Sequence, residues 1–265
     1  MVEGRRHVVT DRLRRERWPA LLVAAAGTVP LAVLPLRAAA DVWRAPALLP
    51  QQFGTRGLET VLAPGTRVGD AVVTSLVVGI VATAVALVIG WPAARSVART
   101  TPARRTVLLV GLGLPLLVPP YATGTGLTRW LLELGLTDSV PGLVAAHLVY
   151  VVPYVVLTLT FAFTAELAGL EEAAEVAGAD RLRAAWLVTL PTTAPAIGTA
   201  ALLGFVVSWS QYGTSLAVGG GRLTLPVVLL PFVERDPQVA AALSLVFLAP
   251  PVVGLVALRR TMARR

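Results

Sequence analysis

Near the middle of the chain, acidic and very small residues precede a glycine, and these types and spacings suit a docking surface for another protein. The pattern consists of Glu171, Glu172, Ala173, Ala174 and Gly178, followed by Val188, Leu190 and Pro191. Carboxylates can pair with basic groups of a partner, and alanine side chains let a partner's surface approach closely. The chemistry that these residues support is therefore recognition, because no base, nucleophile or metal-ligand set accompanies them.

The elements that position this pattern can be predicted from its periodicity. Apolar or small residues recur at helical spacing at Leu167, Leu170, Ala174 and Ala177, and the glutamates 171, 172 and 175 are predicted to occupy the other face. Gly178 can adopt the left-handed conformation that ends a helix, and Asp180 can cap the next one. The segment is predicted to fold as helix, turn, helix.

This spacing resembles the EAA motif in permease subunits of binding-protein-dependent ABC importers, with Val188 where isoleucine is usual. The resemblance implies that Glu172, Ala173, Ala174 and Gly178 dock on an ATPase. It also implies that Leu190 and Pro191 join the loop to the next span. Within this family, residues 114–121 and 208–213 look like the corresponding segments of the permeases of the iron, polyamine, thiamine and sulfate group.

A simpler interpretation of the same segment is a charged helix lying on the bilayer surface. Such helices usually carry lysine or arginine on the polar face. Four acids and no base lie between Glu166 and Ala179, which favours the docking interpretation.

The composition predicts an integral membrane protein. The 265 residues have a mean hydropathy of +0.73, with 55% hydrophobic and 14% charged residues. Six apolar windows are each long enough to cross a bilayer as a helix, at about 18–36, 71–94, 106–128, 140–165, 191–218 and 238–258. They lack the alternation of barrel strands. We expect an all-α, polytopic bundle of about six spans, similar to a type I ABC importer permease, with kinks at the prolines.

Arginine supplies every basic residue other than histidine, and its distribution predicts the orientation in the membrane. Sixteen arginines lie in segment 1–17, loop 95–105, the motif loop 166–190 and tail 259–265, against seven in the opposite segments. By the positive-inside rule, both termini and the motif loop are cytoplasmic and the protein lies in the cell (inner) membrane. The net charge of +8 is explained by this topology and by contact with anionic lipid, and we expect no nucleic-acid binding.

The first window has a second interpretation. Arginine-rich residues before it and the small residues 38–40 after it resemble a secretory signal with a cleavage site. We expect an uncleaved span, because the apolar run from Trp18 to Leu36 is longer than a usual signal core. The following residues, 38–70, contain several prolines and glycines and are predicted to form an irregular outer loop.

Candidate residues for a translocation pathway lie in the fifth window. Its polar residues include Ser208, Gln211, Tyr212 and Thr214, beside Ser210 and Ser215. Polar side chains in hydrocarbon need partners, which serines and threonines can find on their own helix, and Gln211 and Tyr212 are therefore the better candidates. His147 lies well inside a span without a nearby acid and is predicted to be a neutral, hydrogen-bonded packing residue.

Several activities are excluded by residues that the sequence lacks. A phosphate-binding loop of the GxxxxGK[ST] type is impossible, because the chain has no lysine. There is no cysteine, HExxH motif or paired intramembrane carboxylate, and we expect no catalytic residue, metal site or bound cofactor. ATP would be used by a partner subunit.

The resemblance implies an assembly in which the chain pairs with itself or with a second permease. Two cytoplasmic ATPases and an extracytoplasmic solute-binding protein complete it. The main alternative is a secondary carrier or channel that works without an ATPase, although the spans lack the ionised residues that usually mark an ion path. A non-transporting membrane scaffold is the third possibility.

Overall fold

The computed structural model describes residues 18–19, 22–23, 26–28 and 31–263. Helix predominates throughout these residues, as predicted. The chain divides into two compact units. The first contains the described residues up to Ala63 together with Phe232–Val246, and the second contains Pro64–Pro231 and the described residues from Phe247 onward.

The first unit contains the segment that was predicted to be an irregular loop. It forms a short antiparallel pair of strands, β1 (Ala40–Val42) and β2 (Gln52–Phe53), followed by helix α1 (Arg56–Leu62). The Arg56 guanidinium makes an ion pair with Asp236, with 2.6 Å between Nη1 and Oδ2. Side-chain hydrogen bonds thus organise a segment in which no hydrophobic periodicity signals regular structure.

A glutamine at the start of the last helix holds this unit together. Gln238 is buried, and its Nε2 donates to the Asp41 carboxylate at 2.7 Å and to the carbonyls of Ala38 and Gly54 at 3.3 Å. A Cβ on Gly54 would lie 2.0 Å from the Asp41 carboxylate, so only glycine permits this close approach.

The second unit is built from long helices. Its elements are α2 (Arg67–Ala98), α3 (Pro102–Gly113), a 3₁₀ turn (Leu114–Leu117), α4 (Pro120–Glu133), α5 (Val140–Thr160), α6 (Ala165–Val176), α7 (Arg181–Ala184), a π-helical turn (Ala185–Thr189), α8 (Leu190–Trp209) and α9 (Gly213–Val218). Two more helices, α10 (Leu225–Arg235) and α11 (Pro237–Ala263), continue through the boundaries of the units.

The core of the second unit lies where α2, α5 and α8 pack together. Val151, Val155 and Ala200 are fully buried there. A Cβ on Gly90 would lie 2.8 Å from a methyl carbon of Val155, and one on Gly204 would lie 3.1 Å from the other methyl. Small residues at these positions let the helices approach closely, as is common between membrane helices.

Four of the described helices are long and apolar enough to cross a membrane. They are Arg67–Ala98, Val140–Thr160, Arg181–Trp209 and Pro237–Ala263. A fifth span is possible if α3 with its 3₁₀ turn and α4 are counted together. Residues 1–17 and part of the predicted first span, 18–36, lie outside the described residues.

The predicted span 106–128 is not one continuous helix. Its two halves meet at 93°, with the break between Leu117 and Pro120. Pro119 and Pro120 have no backbone N–H, and Val118, which precedes them, is held in an extended conformation with φ −91° and ψ 131°. The prolines therefore end one helix and begin the next, a stronger effect than the kink that the sequence predicted.

The boundaries of the fifth predicted span, 191–218, also differ. One helix runs from Arg181 through Trp209, and Pro191 lies inside it instead of marking a junction. The π-helical turn just before Pro191 explains this, because the Leu190 N–H bonds to the Ala185 carbonyl five residues earlier and the ladder is already rearranged where proline lacks its donor. The helix then breaks at residues 210–212.

Candidate functional site

The EAA-like segment folds as helix, turn, helix, which confirms the prediction. The Thr164 hydroxyl caps α6 by accepting from the Leu167 N–H at 3.3 Å. Gly178 ends the turn with φ +91°, a backbone conformation that side chains disfavour. The Asp180 carboxylate then caps the next helix by accepting from the Arg183 N–H at 2.7 Å.

One face of α6 is open to solvent in this chain. Gly169, Glu172, Ala173 and Val176 stand at positions i, i+3, i+4 and i+7, which share one helix face, and all are exposed. Val176 is 90% exposed although it is apolar. We call these four residues the docking face. Of the predicted apolar stripe, Leu167 is buried and Ala174 is half-buried, but Leu170 and Ala177 are exposed, so the prediction of a continuous apolar face was wrong.

Glu171 corrects the predicted arrangement, because it is buried instead of lying with Glu172 on the polar face. Its carboxylate accepts from Arg95 at 3.0 Å and also from Arg99, both at the end of α2. Two cations and a hydroxyl compensate for the loss of water around this anion, which the helical periodicity of α6 alone cannot indicate.

The hydroxyl belongs to Thr189, which donates to the same carboxylate from the π-helical turn. Glu171 thus ties α6 both to the end of α2 and to the segment that leads into α8. Val188 and Leu190 flank Thr189 and are half-buried, and Pro191 is exposed. We call Glu171, Arg95, Arg99 and Thr189 the loop latch.

A cavity of about 570 Å³ lies where two helix breaks meet. Residues on the break before α4 and residues on the break between α8 and α9 form its walls together with α5. The lining consists of Leu116, Pro119, Pro120, Tyr121, Tyr150, Tyr154, Val207, Ser210, Gln211, Tyr212 and Gly213. Residues 114–121 and 208–213, the two segments that resemble a family subgroup, therefore lie next to each other in the fold.

Of the four predicted pathway residues, Gln211 and Tyr212 line this cavity and Ser208 and Thr214 do not. The Thr214 hydroxyl is fully buried and donates to Gln211 Oε1 at 3.0 Å. Ser208 is buried against His147. Both hydroxyls are hydrogen-bonded within the protein, and their place in a translocation pathway stays a prediction.

His147 bridges the break between α8 and α9. Its Nδ1 lies 2.8 Å from the Ser208 hydroxyl and its Nε2 lies 3.0 Å from the Ser215 hydroxyl. Because these serines lie on opposite sides of residues 210–212, the imidazole fixes the geometry of the break. This confirms the predicted hydrogen-bonded packing role, and it positions Gln211 beside the cavity.

The residues that the sequence analysis missed share two simple features. All four tyrosines of the chain line the one cavity, and two of the arginines counted only for topology hold Glu171. The tyrosines lie in three separate segments, so nothing but proximity in the fold unites them. Among the described residues, no group of three histidine, aspartate or glutamate side chains is placed to hold a metal ion.

Comparison with known sequences identifies relatives along most of the chain. It is 30% identical over 200 residues to the trehalose transport system permease protein SugB of Mycobacterium tuberculosis, covering 72% of each protein. It is 31% identical over 232 residues to a probable molybdenum ABC transporter permease protein of Haloferax volcanii, covering 84% of this chain and 82% of that protein. No family model matches.

The fold is also that of a known transporter. A bacterial ABC transporter involved in the import of the acidic polysaccharide alginate superposes with a TM-score of 0.69 at 18% identity, over 95% of this chain and 97% of that one. The narrower iron, polyamine, thiamine and sulfate grouping stays a prediction. The apolar helices, the EAA-like loop and these relatives agree that the chain belongs to the ABC importer permeases, as a membrane-spanning transport subunit.

Proposed function

We propose that this permease is driven by separate ATPase subunits that bind the docking face, and that the loop latch passes their movement to the spans. The exposed stripe of Gly169, Glu172, Ala173 and Val176 carries the proposal. Its small residues permit close approach, Val176 offers apolar area, and Glu172 offers a charge for a basic partner residue. We take the partner to be an ATPase because the relatives include ABC transporter permeases, and this chain has no lysine for a phosphate-binding loop of its own.

Through the loop latch, the binding of an ATPase to α6 would move two membrane helices, α2 and α8. Glu171 contacts α2 through Arg95 and Arg99, and it contacts the start of the α8 helix through Thr189. A displacement of α6 therefore acts on both helices, and α8 leads to the cavity wall at residues 207–212. Small shifts of packed helices of this kind switch many proteins between discrete states. We propose that the cavity is part of the solute pathway.

The rest of the assembly follows from the same role. The chain pairs with a second permease, either a copy of itself or a different chain, and an extracytoplasmic binding protein delivers the solute. Both termini and the loop 166–190 are cytoplasmic, as the arginine distribution favours. No ATP and no cofactor bind to this chain.

Affinity purification of the intact complex in mild detergent tests the coupling role. We expect an ATPase to co-purify with the wild type and with a Glu166→Ala control, since Glu166 is exposed on α6 outside the docking face. A Glu172→Ala, Gly178→Val double variant is expected to lose the ATPase or to hydrolyse ATP without transport. A stable, ATPase-free protein that still moves solute would instead establish a secondary carrier.

Cysteine labelling tests the orientation. The chain has no cysteine, so a single introduced thiol gives an unambiguous signal. We expect Leu48→Cys to react with a membrane-impermeant maleimide in intact cells and Ala103→Cys to react only after the membrane is opened. Both positions are exposed in the structure. The reverse pattern would place the EAA-like loop outside and end the ATPase proposal.

A further inference from the structure

We infer that the tyrosine-lined cavity binds an uncharged, hydroxyl-rich solute, such as a sugar or a polyol, as it crosses the membrane. The inference rests on the proposed function, because it takes the cavity to be part of the solute pathway. It starts from one observation, that all four tyrosines, a glutamine and a serine face this space and no ionised side chain does.

The broken backbone around the cavity indicates that it is occupied by water or solute, not by lipid. Val118 and Pro119 lie in one break, and residues 210–212 lie in the other. Within a membrane, irregular backbone occurs where it is buried in protein or lines an aqueous space. Discontinuous helices at mid-depth also form the solute sites of many secondary transporters.

Gln211 supplies a binding group that the protein itself leaves unused. The side chain is only 7% exposed, and its Oε1 accepts from Thr214. Its Nε2 has no acceptor within the described part of the chain. The nitrogen itself is not buried but is open to the cavity, where a solute or water can accept its hydrogen bonds.

One tyrosine hydroxyl is bonded to the cavity wall, and the other three, within the described residues, are free to bind a solute. Tyr150 is engaged in the wall, where its hydroxyl donates to the Val118 carbonyl at 2.9 Å and pairs with the Thr123 hydroxyl at 2.7 Å. The hydroxyls of Tyr121, Tyr154 and Tyr212 make no hydrogen bond to other described residues. Each can donate and accept, and each ring offers an apolar face.

This combination fits a molecule with hydroxyl groups around an apolar carbon framework. Sugar and polyol hydroxyls both donate and accept, which matches phenol and amide groups, and their C–H faces can lie against the rings. The volume of about 570 Å³ is within the usual range for small-molecule sites, roughly 300–1,000 Å³.

Charged solutes fit the same cavity poorly. A cation such as spermidine would find no carboxylate in the lining, and an unpaired charge in such a site is costly. An oxyanion such as molybdate would find no arginine. It would also find a weakened helix terminus, because α4 begins after Pro119 with Pro120, and neither residue has an N–H to offer.

Equilibrium binding to the intact permease complex in lipid nanodiscs tests the inference. The probes are radiolabelled trehalose, sorbitol, spermidine and molybdate. We expect saturable binding of trehalose or sorbitol and none of spermidine or molybdate. Gln211→Leu and Tyr212→Phe are each expected to weaken the sugar or polyol by about three- to tenfold, the loss of one hydrogen bond.

Two further variants sharpen this test. Thr199→Ala is the matched control, because Thr199 is a half-buried α8 residue outside the cavity lining and its hydroxyl bonds only to the Pro195 carbonyl of its own helix. It is expected to bind like the wild type. Gln211→Glu places a carboxylate in the cavity and is expected to create saturable spermidine binding at the expense of trehalose or sorbitol.

The result that overturns the inference is saturable binding of spermidine or molybdate to the wild type, or no binding of either neutral probe. Sugar or polyol affinity that is unchanged in Gln211→Leu and Tyr212→Phe would also overturn it. Each preparation is checked for its co-purifying ATPase. A complex that retains its ATPase but fails these tests refutes the solute class alone, whereas absence of the ATPase refutes the proposed function.

Discussion

The loop latch and the tyrosine-lined cavity lie toward opposite ends of α8 and handle buried polarity in opposite ways. The latch buries a full negative charge at Glu171 and neutralises it with two arginines. The cavity contains no ionised group, and its polar atoms are hydroxyls and one amide. A single helix thus joins a region built on strong, fixed ion pairs to one built on weak, exchangeable hydrogen bonds.

This difference matches what each region is proposed to do. A segment that transmits movement must keep its geometry, and an anion held by two cations and a hydroxyl has few alternative arrangements. A passage must release what it binds, which requires contacts that are individually weak. Irregular backbone serves both regions, as a π-helical turn in the latch and as helix breaks at the cavity.

The largest expected effect on stability comes from removing the Glu171 charge, the feature that distinguishes the loop latch from the cavity. Glu171→Gln leaves two arginines without their acid, and we expect the free energy of unfolding to fall by about 2 to 3 kcal/mol. The value is below that of a fully buried pair because the Arg99 side chain is 53% exposed. Thermal unfolding in detergent, followed by tryptophan fluorescence, measures it.

The matched control for this prediction is Glu175→Gln, an exposed glutamate on the same helix. It is expected to change the stability by less than about 0.5 kcal/mol. Equal midpoints for the two variants would show that the latch contributes nothing to stability, and the contrast between the regions would fail.

The next effect concerns the packing behind the cavity. A Cβ on Gly124 would lie 2.7 Å from the Ala217 side chain, where α4 meets α9, whereas a Cβ on Gly126 meets nothing within 4 Å. Both changes to alanine favour the helix equally. We therefore expect Gly124→Ala to be less stable than Gly126→Ala by about 1 to 3 kcal/mol, the usual cost of overpacking, measured by thermal unfolding. Indistinguishable midpoints would mean that α9 shifts freely.

A smaller effect on stability is expected at the turn of the docking loop. Gly178 has φ +91° with open space around it, so the penalty for a side chain comes from the backbone alone. We expect Gly178→Val to cost about 1 to 2 kcal/mol and to lower the ratio of transport to ATP hydrolysis. Gly178→Asn is the control, since asparagine tolerates this conformation better. Normal coupling in the valine variant would contradict the assignment.

The smallest expected effect on stability concerns the exposed ion pair between Arg56 and Asp236, which serves as a comparison for the buried charge of Glu171. The hydrogen bond from Arg56 lowers the pKa of Asp236 below its ordinary value of 3.8. The carboxylate therefore stabilises the fold above that ordinary value, and this contribution is lost as the pH falls through the lower, folded pKa. Because Arg56 is 53% exposed, the pair is worth less than about 1 kcal/mol.

Asp236→Asn should remove that small step from the dependence of the thermal midpoint on pH in the acidic range. Its effect at neutral pH is expected to be well below that of Glu171→Gln. A larger effect for Asp236→Asn would reverse the ranking of exposed and buried charge on which the comparison depends.

Local signals made much of the docking loop predictable. Helix spacing before Gly178, the need for positive φ there and the capping carboxylate of Asp180 all act within a few residues. The orientation of Glu171 was not predictable, because helical periodicity assigns faces by hydrophobicity. A glutamate turns inward only if cations lie nearby in space, and Arg95 is 76 residues away in the chain.

The sequence by itself determined that the chain is helical and lies in a membrane, and it located the EAA-like loop, since hydropathy, composition and local turn chemistry act without long-range contacts. The tertiary structure alone decided which polar residues meet. It separated Gln211 and Tyr212 from Ser208 and Thr214, gathered four tyrosines from three segments and broke two predicted spans. These outcomes depend on contacts between distant segments, and residue order does not record those distances.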